Sequence, residues 1–310
     1  MDKVASIDIG TNTILLLVAQ IEGKAFRPLF DKETVVRLGE GLQKSGLLSQ
    51  EAMKRGLQTL TRYMEHCRTM GVQKVFAAGT SALREAKNSN DFLKMVKENL
   101  DLNIEVISGE EEAHLSFLAV AKDLKETEKQ ILVVDVGGGS TELILGKGGH
   151  VTQWVSLPLG LVHFTEQFLT SDPVRDREWE EVVEVIKKVL SQIPHPNQSV
   201  SMVSVGGTGT TLASVGQGLK EFDPGKIHHF VLTKDAIRNQ LLLYRSKTIE
   251  ERKKIAGLSP NRADVILAGG TILYMVMELL GCPSVLISCH GVRYGLLYKK
   301  ISDCRLQNAD

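Results

Sequence analysis

Short apolar runs and apolar spacings of three to four residues alternate along this chain, which predicts strands alternating with helices. The run Val4-Ala-Ser-Ile-Asp8-Ile breaks at Gly10-Thr-Asn-Thr13 and resumes as Ile14-Leu-Leu-Leu-Val18, the pattern of strand, tight turn, strand. Short β-like pieces follow near 24–30 and 34–38. Residues 50–70 place Met53, Leu57, Leu60, Met64 and Cys67 on one helical face, which Gly71 ends. A strand at 74–78 runs into a loop of small residues that holds Arg84. Phe92, Leu93, Val96 and Leu100 mark the next helix, and a strand is expected at 104–107. Ser108-Gly-Glu110-Glu111-Glu112 then opens a helix with Leu115, Leu118 and Ala119 inward, and the charged run 122–129 reads as a solvated connection.

The second half repeats the first. Ile131-Leu-Val-Val-Asp135-Val-Gly137-Gly-Gly-Ser140-Thr-Glu142-Leu-Ile-Leu145 aligns without gaps on the opening segment, so that Asp8 falls on Asp135, Gly10 on Gly137 and Thr13 on Ser140. A strand near 151–156, the turn Leu157-Pro-Leu-Gly160 and a helix carrying Trp179, Val182, Val183, Ile186, Val189 and Leu190 follow. A loop is expected at 194–197. A strand at 200–205 delivers Gly206-Gly-Thr-Gly-Thr-Thr211 into another helix. Ser259-Pro260 suits a helix start and Gly281 its end, before a strand at 285–288 and a helix at 291–301. The alternation predicts an α/β chain, and the repeat predicts two related domains with phosphate held between them.

Composition narrows the partners. The 310 residues suffice for two domains with real cores. Lys plus Arg and Asp plus Glu each number 37, so the formal net charge is zero, which argues against a nonspecific nucleic-acid binder. A polyanion would have to be attracted by local fields from N–H groups, a few cations and a bound metal. Cys67, Cys282, Cys289 and Cys304 show no CxxC pairing, as expected of reduced thiols in a cytoplasmic protein. No signal peptide precedes the first strand, and the apolar stretch 265–280 is too short and too interrupted to span a bilayer.

Asp135–Glu142 is the strongest chemical signal. Three glycines and a hydroxyl pair after a buried strand form a nest of N–H groups suited to phosphate. Glu142 opens an otherwise apolar strand, a costly place for a carboxylate unless a cation or hydrogen bonds compensate it. Gly206–Thr211 lies where N–H groups and a helix dipole favour anions, although it matches neither a P-loop nor GxGxxG. Arg84 is placed to reach a phosphate or to be a plain surface charge. Glu110, Glu111 and Glu112 suit a helix start through the dipole, and one of them could serve as a general base. His228 and His229 have no metal spacing to another His or Cys and read as loop histidines.

Together these residues resemble the exopolyphosphatase / guanosine pentaphosphate phosphohydrolase family, within the superfamily of actin, heat-shock chaperones and sugar kinases. The resemblance rests on 8–13, 37–42, 80–88, 107–113, 135–142, 157–160, Gly206-Gly-Thr208 and Arg262-Ala-Asp264, in order along the whole chain. It implies two actin-like (ribonuclease H-like) α/β domains with mixed sheets and an interdomain cleft, at 1–120 and 125–290, with the helix at about 291–310 returning to the first. It implies Mg²⁺-dependent release of the terminal phosphate of inorganic polyphosphate or of the 5′-γ-phosphate of pppGpp. In that reading Glu112 activates water, and Asp135 and Glu142 hold or orient Mg²⁺. Arg84 and the backbones of Asn12, Gly138, Gly139, Ser140, Gly207 and Thr208 grip phosphate. The chain departs from the family at His114, often Arg, and at Tyr294, often Glu. A homodimer is a possible assembly. A small-molecule kinase of the same superfamily and a non-catalytic alarmone or polyphosphate sensor are the alternatives.

Overall fold

The computed structural model describes residues 2–23, 25–124, 129–193 and 200–306. The chain divides into two compact units, Met1–Ala119 with His290–Asp310, and Val120–Cys289. The division falls inside the helix Gly109–Leu124. The loop expected at 194–197 lies outside the described residues.

The first unit holds β1 (Lys3–Ile9), β2 (Thr13–Glu22), β3 (Ala25–Val35), β4 (Lys74–Gly79) and β5 (Ile104–Val106), in the order β3-β2-β1-β4-β5. β1 pairs antiparallel with β2 and parallel with β4, so it is covered on both edges. Ala5, Ile7 and Ile9 of β1 are fully buried, as its near-continuous apolar run requires of a central strand. The β-like pieces expected at 24–30 and 34–38 merge into one strand, β3, in which a register shift opposite Val18/Ala19 absorbs the break in alternation at Pro28, but the strand ends at Val35 and 36–38 lie outside it. Helix Gln50–Thr69 begins where Ser49 Oγ accepts the Ala52 N–H at 3.1 Å, and it buries Met53, Leu60, Tyr63 and Cys67. Helix Val292–Leu306 packs Tyr294, Leu297 and Ile301 against Val4, Leu17 and Phe26 of the same unit.

The second unit holds β6 (Ile131–Val136), β7 (Thr141–Lys147), β8 (His150–Leu157), β9 (Ser201–Val205), β10 (Val231–Thr233) and β11 (Ser284–Ile287). Their order is β10-β11-β9-β6-β7-β8. Again the central strand, β6, pairs antiparallel with the next strand and parallel with the fourth of the unit. The repeat in sequence is therefore a repeat of sheet topology, and β10 is added antiparallel beyond β11. Helix Asp176–Leu190 buries Val182, Ile186 and Leu190, one residue per turn.

The helix expected to start at Pro260 is a 3₁₀ turn, Pro260–Arg262, with the α-helix beginning only at Ile266. Proline opens either turn equally well, and the polar Asn261, Arg262 and Asp264 defer the apolar face to Ile266. Helices Leu161–Phe168 and Lys234–Arg245 were not expected from sequence. Cys67 and Cys282 are buried free thiols and Cys289 is half-buried.

Candidate functional site

In the first unit the turn between β1 and β2 closes with the Gly10 N–H donating to Thr13 O at 2.9 Å. Thr11 O accepts the Gly39 N–H, and Asn12 O accepts the N–H groups of Val36 and Arg37, all at 2.9 Å. A trans peptide points its carbonyl and its following N–H in opposite directions. With the Thr11 and Asn12 carbonyls turned to residues 36–39, the Asn12 and Thr13 amides face the other way. Asn12 is buried, and neither its side-chain oxygen nor its nitrogen has a partner among the described residues. Such an orphaned amide is expensive unless something polar is received there.

Asp8, at the end of β1, has its carboxyl pushed up to about 6 by burial, with Arg293 pulling it down and Glu33 adding to the rise. Arg293 grips Asp31 with both ends, Nε to Oδ1 at 2.9 Å and Nη2 to Oδ2 at 2.8 Å. Tyr294 donates its hydroxyl to the same Asp31 at 2.9 Å.

The three helix-opening glutamates are separated by their surroundings. Glu110 is exposed, and Glu111 is half-buried and paired with Lys299. Glu112 is 9% exposed and lies 3.0 Å from Arg84 Nη1. Arg84 lies in the short helix Ser81–Glu85 rather than in the expected loop. The same Nη1 donates to Ile107 O at 3.0 Å, so strand end, short helix and helix start are joined by one guanidinium. The other N–H groups of Arg84 make no hydrogen bond among the described residues, which leaves this fork donors for a phosphate.

In the second unit the equivalent turn closes with the Gly137 N–H donating to Ser140 O at 2.9 Å. The first amides of helix Leu161–Phe168 take the carbonyls of Gly137 and Gly138, each at 3.0 Å. By the same peptide geometry the Gly138 and Gly139 amides face away from that helix, as an anion nest needs. Gly160 packs directly on the Gly138 and Gly139 backbone, where a Cβ would overlap their main-chain atoms.

Asp135 and Glu142 stand opposite each other across the hairpin. Glu142 is 3% exposed and accepts Ser140 Oγ at 2.7 Å and Ser156 Oγ at 2.9 Å, both on Oε1. Opposed carboxylates repel, so the pair calls for a compensating positive charge. A carboxylate pair beside a phosphate nest suits Mg²⁺, which takes few protein oxygens and keeps its waters. Gly206, at φ +78°, brings the end of β9 onto Asp135, where a Cβ would sit 2.5 Å from its Oδ1. Only glycine satisfies both demands.

Helix Gly206–Gly216 follows with the Gly207 and Thr208 amides in its first turn, where N–H groups lack helical acceptors. The Thr208 hydroxyl is committed to Val136 O at 3.0 Å, so only its backbone is available to a ligand. The buried Arg262 guanidinium lies against Gly207, a placement to which sequence reasoning gave no role although the motif around it was noticed. Sequence reasoning also missed that His228 and His229 share the Asp123 carboxylate, at 3.3 and 2.7 Å, from 105 and 106 residues away. Spacing along the chain carries no trace of that pairing.

The model of the Ppx/GppA phosphatase family matches residues 17–303. The chain belongs to this family. It is 33% identical over 306 residues to the guanosine-5′-triphosphate,3′-diphosphate pyrophosphatase of Vibrio vulnificus, covering 97% of this chain and 60% of that protein. It is 33% identical over 296 residues to a bifunctional 3-dehydroquinate synthase/phosphatase of Fusobacterium nucleatum, covering 92% of this chain and 44% of that one. The chain thus spans about half the length of these curated relatives. The crystal structure of the Aquifex aeolicus Ppx/GppA family member superposes with a TM-score of 0.82 at 35% identity, covering 97% of this chain and 98% of that one. Both α/β units of this family member carry mixed sheets flanked by helices. No helix among the described residues is long and apolar enough to cross a membrane.

Proposed function

We propose that this family member hydrolyses terminal phosphoanhydride bonds with Mg²⁺, releasing phosphate from inorganic polyphosphate or the 5′-γ-phosphate of pppGpp. The observation that carries this reading is the sorting of the three glutamates, in which Glu112 alone is buried against a guanidinium able to hold phosphate. A kinase has no need of a carboxylate beside its phosphate-gripping arginine to activate water, and a sensor has no need of a base at all.

In this mechanism the amides of Gly138, Gly139, Ser140, Gly207 and Thr208 receive phosphate oxygens, and the backbone of Asn12 also grips phosphate. Asp135 and Glu142 hold Mg²⁺ directly or through water. When bound, Mg²⁺ supplies charge neutralisation on the phosphate oxygens. Arg84 orients the terminal phosphate, and Arg262, lying on Gly207, adds a second guanidinium to the nest of the second unit. Glu112 accepts a hydrogen bond from the attacking water, aligns it with the departing oxygen and takes its proton. Phosphoryl transfer asks little covalent chemistry of a protein, so positioning and charge carry most of the rate.

The test is incubation of the protein with Mg²⁺ and, in turn, polyphosphate, pppGpp, and ATP with glucose, following free phosphate. Release from either of the first two is the expected result. Glucose phosphorylation, or no turnover with tight binding, would replace this reading with the kinase or the sensor.

A further inference from the structure

A row of side chains crosses the hairpin of the second unit. Asp135 on β6 is in register with Glu142 on β7, and Glu142 is in register with Ser156 on β8. Residues in register on adjacent antiparallel strands share a face of the sheet, so the three form one line across it. Ser156 Oγ closes the line by donating to Glu142 Oε1 at 2.9 Å. Ser140 Oγ, from the turn, donates to the same oxygen at 2.7 Å. Two hydroxyls converge on one oxygen of a carboxylate that is almost wholly buried.

The arrangement has a physical consequence. A glutamate side chain has three rotatable bonds, and rotation about the last would exchange its two oxygens. Donors from opposite ends of the site, one in the turn and one on β8, fix that rotation, so that Oε1 stays with the hydroxyls and Oε2 is held in a single orientation. They also offset part of the cost of keeping a carboxylate away from water. The β7–β8 register shift at Leu145/Gly146 lies beyond this row, so Ser156 stands opposite Glu142 without distortion.

We infer that Ser156 is a positioning residue for the cation-holding carboxylate, setting the Mg²⁺ affinity of the site through Glu142 without touching the cation or the phosphate. The inference rests on the assignment of Asp135 and Glu142 proposed above. Partners that orient a metal-holding group are worth roughly 10–100-fold in affinity when removed. Ser156 is exposed and shares its task with Ser140, so the low end, about tenfold, is expected.

The experiment measures Mn²⁺ binding by electron paramagnetic resonance and Mg²⁺ binding by competition, without substrate, in the parent chain and in Ser156→Ala, Ser156→Thr and Glu142→Gln. Thermal unfolding of each variant is recorded alongside. Ser156→Ala is expected to weaken both cations about tenfold with an unfolding midpoint near that of the parent. Ser156→Thr, which keeps the hydroxyl on a residue suited to a strand, is expected to restore binding to within about twofold-to-threefold of the parent. Glu142→Gln is expected to abolish the high-affinity site. If Glu142→Gln weakens binding and Ser156→Ala does not, the positioning role is overturned while the cation site stands. If Glu142→Gln binds as the parent does, the cation assignment itself fails. Equal weakening in the alanine and threonine variants would trace the effect to strand packing and overturn the role of the hydroxyl.

Discussion

The two hairpins share a backbone and differ in what lies on it. Across the first unit the row reads Asp8, Leu15, Glu33; across the second it reads Asp135, Glu142, Ser156. Each turn has the same glycine N–H to hydroxyl-residue carbonyl bond, and each has its carbonyls taken by amides of a later segment. In the second unit the middle position of the row is an acid held by two hydroxyls. In the first it is Leu15, and Arg293 of the same unit acts electrostatically on Asp8 while it binds Asp31. One copy places a guanidinium of its own unit in the field of its acid, and the other presents the carboxylate pair that we propose holds Mg²⁺. The cradle is common to both units, and the middle of the row is where their side chains differ.

The sharpest way to break this division is to ask where water is activated. If the first unit contributes the base rather than the cation, Glu112→Gln should lower turnover by at least about a hundredfold while leaving substrate binding and unfolding nearly unchanged. Glu110→Gln and Glu111→Gln should each stay within a few-fold, because one is exposed and the other is paired with Lys299. Single-turnover rates with each variant make the check. A normal rate in Glu112→Gln with a slow one in a neighbour would move the base by a turn position and sink the burial argument.

Arg84→Ala comes next. A hydrogen bond to a charged group is worth about 1.5–3 kcal/mol, so kcat/KM should fall by roughly tenfold to a hundredfold. Both KM and kcat should change if the guanidinium follows the phosphate into the transition state. An effect below twofold would leave Arg84 as a structural link between Ile107 and Glu112.

The acid pair of the hairpins gives a smaller and more diagnostic contrast. Asp135→Asn should raise the Mg²⁺ concentration needed for half-maximal activity about tenfold or more, whereas Asp8→Asn should barely move it. Asp8→Asn should act on stability instead. Its folded carboxyl titrates near 6, above the unfolded value of about 4, so the folded state binds its proton more tightly. Stability from this group is fully present below about pH 4 and is lost as pH rises through 6. The parent should therefore lose up to about 3 kcal/mol relative to Asp8→Asn between pH 4 and 7, read from urea midpoints at the two values. Parallel pH profiles would show that Asp8 is not held protonated.

Much of this contrast was legible in the sequence, and the reason is local. The acid, the glycines and the hydroxyl of each hairpin sit within ten residues, so strand period and turn chemistry reveal them, and Glu142 stands out because it interrupts an apolar run. The same 127-residue offset that aligns Asp8 on Asp135 aligns Leu15 on Glu142, so the difference between the two rows is itself present in the chain. What stayed hidden depends on pairing between distant segments. Ser156 joins the row only through the β7–β8 register, which a bulge makes uncountable from sequence. Arg262 reaches Gly207 from a 3₁₀ turn where Ser259-Pro260 suggested the start of an α-helix. Asp123 meets two histidines over a hundred residues away.

The closing glycines supply the smallest contrast. Gly39 and Gly160 each press on the turn of their own unit, and a Cβ on either would overlap an existing atom. The atoms differ. At Gly160 they are the Gly138 carbonyl and the Gly139 backbone, which cannot move without tilting the amides of the nest. At Gly39 the overlap is with Thr11 Cγ2, the end of a side chain that can rotate. Overpacking costs about 1–3 kcal/mol where neighbours are fixed and less where they yield. Gly160→Ala should therefore lose about 2 kcal/mol of stability and weaken phosphate binding, measured with inorganic phosphate by calorimetry. Gly39→Ala should lose under about 1 kcal/mol and bind phosphate nearly as the parent does. The rotation has one cost, since Thr11 Oγ1 is buried without a partner among the described residues and turning it must not bury it against carbon. Equal losses in the two variants would mean that both turns are equally rigid, and that the units differ in the acid row alone.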